Sequence, residues 1–439
     1  MSTVAEVRLW GRSIGAVSLE EGSDVAAFEY DPAFARSGIE ISPLVMPLSN
    51  RVSAFPELSR QTFHGLPGLL SDSLPDTFGN VLIDAWLATQ GREPVSFNAV
   101  ERLCYTGERG MGALEFVPRT GPEKARGVMQ IQIDTLVELA SEVLAHRNDL
   151  RGSFADRNDD RSDKHALTDI LRVGTSAGGA RAKAIIAWNP STNEVRSGQV
   201  PAAEGFEYWL LKFDGVKGDK DKELEDPQGY GVIEYAYSQM AKDCGIAISD
   251  CRLFEENGRQ HFMTRRFDRL ADGQKLHMQS LCALAHYDFN MAGAYAYEQA
   301  LLVIRKLGLP MSAVEEQFRR MAFNIVARNQ DDHVKNIAFL MDKSGDWSLS
   351  PAFDLTYSFD PSGVWTASHQ MTLNGKRDSF TLDDFKACAN SASMKRGRAE
   401  AIVAEVLEVV SRWKAYAGDA GVPVAWQETV QHTLRLNGF

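Results

Sequence analysis

The apolar residues change period partway along this chain, and that change constrains the fold more than any other feature. Early on they alternate. Val4 to Trp10, Ile14 to Leu19 and Ala26 to Tyr30 are short alternating runs, with Gly11-Arg12 read as the first turn. Such runs predict a three-strand meander. Ala182–Trp188 and Tyr208–Phe213 predict two further strands. Cys251–Phe254 and Gln260–Thr264 predict a hairpin around Asn257-Gly258, because both turn positions favour positive φ. Helical spacing appears at Asn80–Thr89, Ile133–Ala145 and Gly231–Cys244, the last stopped by Gly245. Beyond Gln279 it dominates, most clearly over Ala313–Ala327 and Ala399–Tyr416. A strand-rich first half before a helix-rich second half predicts a two-lobed α+β architecture.

With 439 residues, the chain has material for two or three domains at about 150 residues each. The charged run Arg147–Lys164 is the best candidate connector, and the segments are read as 1–125, 126–267 and 268–439. A formal net charge of −12 argues against nucleic-acid binding by overall charge. Five scattered cysteines without a CxxC pair favour neither a disulfide framework nor a zinc site, and point to a reducing cytoplasm. Met1–Trp10 carries Glu6 and lacks a long apolar core, so no signal peptide is expected there. No apolar run approaches the ~20 residues that span a bilayer, so no membrane role is expected.

The segment Asn329-Gln330-Asp331-Asp332-His333-Val334-Lys335-Asn336 follows an apolar helix and precedes an apolar strand. Asp331 and Asn336 have the D-x-x-x-x-N spacing of a kinase catalytic loop. There the Asp accepts the proton of an attacking hydroxyl and the Asn holds a metal ion on the ATP phosphates. Asp332 does not give that spacing, so Asp331 is the candidate base. Ile337–Met341 and Trp347–Leu349 then flank a hairpin turn, and Pro351-Ala352-Phe353-Asp354-Leu355 follows directly. Asp354 stands where a second metal-binding Asp would fall, although Leu355 and Thr356 replace the rest of D-F-G. A solvated helix end and a turn-capping Asp are the bland readings of the two segments. Upstream, Gly174-Thr175-Ser176-Ala177-Gly178-Gly179-Ala180-Arg181-Ala182-Lys183 offers bare amides to phosphate oxygens, or is only a glycine turn between strands. Lys212 is a cation in an apolar strand and needs an anion, such as phosphate with Glu234 as second partner, or a route to water.

These segments together resemble the HipA family of serine/threonine kinases, the toxins of bacterial toxin–antitoxin pairs. The likeness spans nearly the whole chain: the meander, LLSDSLPD at Leu69–Asp76, GERGMGALEF at Gly107–Phe116, GGARAKA, the Lys212 strand, RRFDR at Arg265–Arg269, NQDDHVKN and PAFDL. The D-x-H-x-x-N form also resembles phosphoinositide kinases. The resemblance implies a two-lobed protein-kinase-like fold, with 1–125 a β-rich family subdomain, 126–267 the rest of the N-lobe and 268–439 a helical C-lobe. It implies ATP and Mg2+ as cofactors. It makes Asp331 and His333 catalytic, Asn336 and Asp354 metal ligands, and Lys212 the ATP-phosphate lysine. Gly178, Gly179, Ala180, Arg181 and Lys183 would line the phosphates, and the backbone of Arg265–Phe267 the adenine. Ser176, or its neighbour Thr175, would be an autophosphorylation site. Expected partners are a helix-turn-helix, HipB-like antitoxin that carries most of the operator-DNA affinity, and an aminoacyl-tRNA synthetase substrate. Lys376-Arg377 and Lys395-Arg396-Gly397-Arg398 could add phosphate contacts or be plain surface charge. A small-molecule or lipid kinase, and a degraded co-repressor, are the alternatives. The first would lack a neighbouring antitoxin reading frame, and the second is disfavoured by the retained Asp331, Asn336, Asp354 and Lys212.

Overall fold

The computed structural model describes residues 2–121, 132–145, 170, 174, 181–199, 204–216, 229–270 and 272–439. The charged run Arg147–Lys164 and the loop residues Thr175, Ser176, Gly178, Gly179 and Ala180 lie outside them. The chain divides into two compact units, one of Met1–Gly38, Leu48–Gly231 and Asp250–His277, the other of Ile39–Pro47, Val232–Ser249 and Met278–Phe439.

Among its described residues the first unit holds two antiparallel sheets. One has the order β3-β2-β1-β4, from β1 (Thr3–Leu9), β2 (Arg12–Leu19), β3 (Ala27–Tyr30) and β4 (Leu114–Val117). Alternation places Ala5, Val7 and Leu9 of β1 in the core. The β1–β2 turn is Trp10-Gly11, with φ of 49° and 78°, not the expected Gly11-Arg12. Leu9 and Arg12 pair across it, so Arg12 already belongs to the strand. Gly15 is required on β2, because a Cβ there would stand 2.2 Å from the Glu29 carbonyl oxygen of β3.

The second sheet has the order β6-β5-β7-β9-β8, from β5 (Lys183–Asn189), β6 (Glu194–Ser197), β7 (Glu207–Lys212), β8 (Cys251–Glu256) and β9 (Arg259–Arg265). The expected hairpin is there, closed by Asn257 and Gly258 at φ 48° and 79°. The helices Thr77–Thr89 and Ile133–Ala145 pack on one face, their Phe78, Leu82, Leu136 and Val143 meeting Ala184, Ile186, Trp209 and Leu211. The first half is thus more helical than its alternation suggests. Ala99–Thr106 is a further helix, started by a capping box between Asn98 and Glu101.

The second unit is mainly helical. Met311–Val326 runs through its core, with every residue from Arg320 to Val326 buried. A small sheet of order β10-β11-β12 lies in it, from β10 (His277–Ser280), β11 (Ala338–Met341) and β12 (Trp347–Leu349). The helix expected over Ala399–Tyr416 is two, Arg398–Val410 and Trp413–Ala420. The apolar stripe Val409, Val410, Trp413, Ala417 crosses the break, which is why the spacing reads as continuous. At the break Trp413 turns fully inward, donating from Nε1 to the Gln427 carbonyl at 3.0 Å and meeting Tyr237 edge-on.

Candidate active site

The helix Met311–Val326 is capped at Ala327, and Arg328 then takes a left-handed φ of 59° that turns the chain sharply. Asn329 ties this turn back to the helix, its Nδ2 donating to Asn324 Oδ1 at 2.9 Å. It also bridges to Ser358, while Gln330 N–H donates to the Ser358 carbonyl at 3.1 Å. The loop after Arg328 is thereby fastened to the segment after Asp354 in the same unit.

Asp331 and Asp332 face opposite environments. The Asp332 side chain has no exposed surface. It accepts from the Tyr297 hydroxyl at 2.6 Å, from the Gln370 N–H at 2.7 Å, and from His369 Nδ1 at 2.7 Å. Arg435 approaches His369 Nε2 at 2.8 Å. A guanidinium can only donate, so Nε2 accepts and the ring proton sits on Nδ1, aimed at Asp332. Burial, the largest single influence, pushes the Asp332 carboxyl up. The contacts from His369, Tyr297 and Gln370 together outweigh it and hold Asp332 below the usual carboxylate range. Asp332 is the loop's buried anchor.

Asp331 is 42% exposed at its side chain. Trp365 Nε1 donates to its Oδ1 at 2.6 Å, and Asn336 Nδ2 donates to its backbone carbonyl at 2.9 Å. This bond leaves the Asn336 Oδ1 lone pairs uncommitted to Asp331. His333 Nε2 lies 3.7 Å from Asp331 Oδ1, too far for a hydrogen bond. Its ring sits between Phe289 and Trp365, with Nδ1 buried and unpaired. Asp354 has a left-handed φ of 52°, uncommon outside glycine, and Asn329 Nδ2 reaches its carbonyl at 3.4 Å. Asp331, His333 and Asn336 thus share one loop, fastened to the backbone of Asp354. Among the described residues no three His, Cys, Asp or Glu side chains form a ready cation cage. One carboxylate and one amide suit Mg2+, which takes few protein ligands and completes its shell with phosphates and water.

The other candidate residues lie in the first unit. Lys183 and Lys212 stand directly opposite across β5 and β7. Like charges so placed repel. Asp76, the N-cap of Thr77–Thr89, relieves this: Lys183 Nζ is 2.9 Å from its Oδ2, with side chains 2% and 3% exposed. Lys183 is thereby engaged by Asp76 within the first unit. Lys212 is half-buried, its Nζ 5.8 Å from the centre of the Phe262 ring. Arg181 stacks on Tyr230 at 3.6 Å.

At the expected adenine strand, Arg265 N–H donates to Asp250 and Arg266 N–H to Tyr208, while Phe267 is half-buried. The surrounding RRFDR motif does structural work. Asp268 accepts two bonds from Arg266, one from Arg269 and one from the Gly112 N–H, and both arginines reach the Gly110 carbonyl. The RRFDR and GERGMG motifs are therefore one interlocked cluster. Three of the basic residues considered for DNA are engaged within the second unit: Lys376 by Asp384, Arg377 by the His369 carbonyl, Arg398 by Glu315. Trp365, His369 and Arg435 were absent from the sequence reading, and Asp76 entered it only as the end of LLSDSLPD, with no role assigned. Of these only Asp76 carried a local signal, an Asp before a helical run.

The model of the HipA N-terminal domain matches residues 5–117, and that of the HipA-like C-terminal domain matches residues 175–413. No curated protein sequence matches the chain. Among solved structures it is similar to HipA from the Shewanella oneidensis MR-1 toxin–antitoxin complex of HipA, HipB and operator DNA, at 17% identity and TM-score 0.67, covering 98% of this chain and 95% of that one. The Helicobacter pylori proinflammatory kinase CtkA aligns at 13% identity and TM-score 0.31, over 49% of this chain and 90% of that one. The Shewanella likeness shows the expected α+β fold, that of HipA. With one family domain at 5–117 and the other spanning more than half its length, the chain belongs to the HipA family.

Proposed function

We propose that this chain is a Mg·ATP-dependent serine/threonine-protein kinase and the toxin of a HipA-type module. The observation that carries the reading is the division of labour between adjacent carboxylates. Asp332 is buried and fully bonded, while Asp331 is held half-exposed at the spacing from Asn336 that phosphoryl transfer uses. In the proposed reaction Asp331 accepts the proton of a substrate hydroxyl. The hydroxyl oxygen bonds to the γ-phosphorus as the bond to the β-phosphate oxygen breaks, giving a phosphoester and ADP. Lys212 and the Gly178–Arg181 amides meet the phosphates. Asn336 and Asp354 would hold Mg2+, which supplies charge neutralisation on the ATP oxygens. His333 lies beside the base, and the Arg265–Phe267 backbone meets adenine.

The finer assignments follow the family. Ser176 is the proposed self-modification site, a HipB-like helix-turn-helix protein the antitoxin and main DNA contact, and an aminoacyl-tRNA synthetase the substrate. The Shewanella structure, which contains HipB and operator DNA, supports the partner class. Induced expression in a bacterium should arrest growth, co-expression of the antitoxin should relieve it, and Asp331→Asn should not arrest. In vitro, Asp331→Asn should abolish phosphate transfer from Mg·ATP while melting like wild type. Transfer by that variant at the wild-type rate overturns the reading.

A further inference from the structure

We propose that Trp365 is a positioning residue for the phosphoryl-transfer step: its indole N–H holds one oxygen of Asp331 so that the other is presented to the attacking hydroxyl. The inference rests on the reading of Asp331 as base.

The geometry is specific. Trp365 Nε1 lies 2.6 Å from Asp331 Oδ1, the short separation of a charge-assisted bond. An indole N–H is only a donor, so Trp365 cannot compete for the substrate proton. His333, the other nearby nitrogen, is 3.7 Å from the same oxygen and does not hold it.

The backbone behind the indole is equally fixed. The Trp365 carbonyl accepts from Gln370 Nε2, and the next carbonyl, of Thr366, accepts from Gln330 Nε2 at 2.9 Å. Gln370 also donates its backbone N–H to Asp332 at 2.7 Å. One framework therefore clamps both carboxylates: Asp332 directly, and Asp331 through an indole whose main chain that framework grips. Trp365 is itself only half-buried and outside the buried core, so core packing alone does not explain why an indole points at Asp331 here. A base free to rotate would spend much of its time misaligned, and misplacement on the ångström scale costs on the order of a hundredfold in rate.

The test compares Trp365→Phe, which keeps an aromatic ring but lacks the N–H, with Trp365→His, whose Nε2 occupies the same ring position as the lost indole nitrogen. The assay is phosphate transfer from Mg·ATP to the chain itself and to casein. Trp365→Phe should lower kcat roughly tenfold to a hundredfold with the KM for ATP unchanged, and Trp365→His should recover part of the loss. In otherwise wild-type protein, the Trp365 indole N–H resonance should shift when Asp331 is changed to Asn. That readout needs no turnover and no Trp365 variant to fold. An inactive Asp331→Asn beside a Trp365→Phe with wild-type kcat, or an indole resonance indifferent to Asp331→Asn, overturns the positioning role alone. Wild-type transfer by Asp331→Asn overturns the base reading and this role with it.

Discussion

At the scale of single residues, this protein uses buried charge in pairs. Lys183 and Asp76 illustrate the energetics. Neither could be buried alone, and removing one partner from such a pair typically costs about 3–5 kcal/mol. Asp76→Ala should therefore lower unfolding free energy by about that amount, as read from denaturant melts. Asp76→Leu with Lys183→Met should recover the ion-pair part of it, because an apolar pair is often neutral or better, while the lost N-cap bond to Gly79 still costs about 1 kcal/mol. Asp268 makes a pH prediction. Burial, the largest influence, raises its carboxyl, but Arg266, Arg269 and the Gly112 N–H together hold it well below the ordinary range. A carboxyl lowered in the folded state stabilises above its unfolded value, about 3.9, and that contribution fades as pH falls toward the folded one. Acid unfolding below about pH 4 should thus be shallower in Asp268→Asn than in wild type, while at neutral pH the variant is the less stable protein. Equal acid slopes in the two proteins would remove Asp268 from the account.

At the scale of elements, local signals carried far and then stopped where partners were distant. The β8–β9 hairpin was legible because Asn257-Gly258 determines its own turn, and Ile133–Ala145 because one apolar stripe determines one helix. The Arg398–Val410 break was not, since the stripe ignores it. The helix Ala99–Thr106 carried its signal in Asn98 and Glu101, which spacing of apolar residues does not report. Of the candidate site, Asp331, Asn336 and Asp354 stood out by order and spacing. Trp365 and His369 did not, because they reach the loop from 34 and 37 residues away. Close strand approach gives an element-scale prediction. Gly15→Ala places a methyl 2.2 Å from the Glu29 carbonyl oxygen, so β2 and β3 must part. We expect about 1–3 kcal/mol of destabilisation, checked by a lowered Tm, with the second sheet's hairpin amides unchanged in hydrogen exchange.

At the scale of the whole molecule, the loop that bears Asp331 is finished by residues near position 435. Arg435 reaches His369 Nε2 at 2.8 Å, Gln330 Oε1 at 3.2 Å and Asp378 at 2.6 Å, and its N–H bonds the Val326 carbonyl at 3.0 Å. Arg435→Ala should loosen this framework and lower phosphate transfer more than it lowers Tm, as measured on the same preparation. The connection from Gln330 to Arg435 spans 105 positions. A ribosome that has already made Asp331 must therefore continue for that distance before the guanidinium exists to complete the anchor. Once Asp354 has also been added, the nascent chain carries every residue proposed to handle phosphate, yet the His369–Asp332 anchor still waits for Arg435, so the loop is completed late in synthesis.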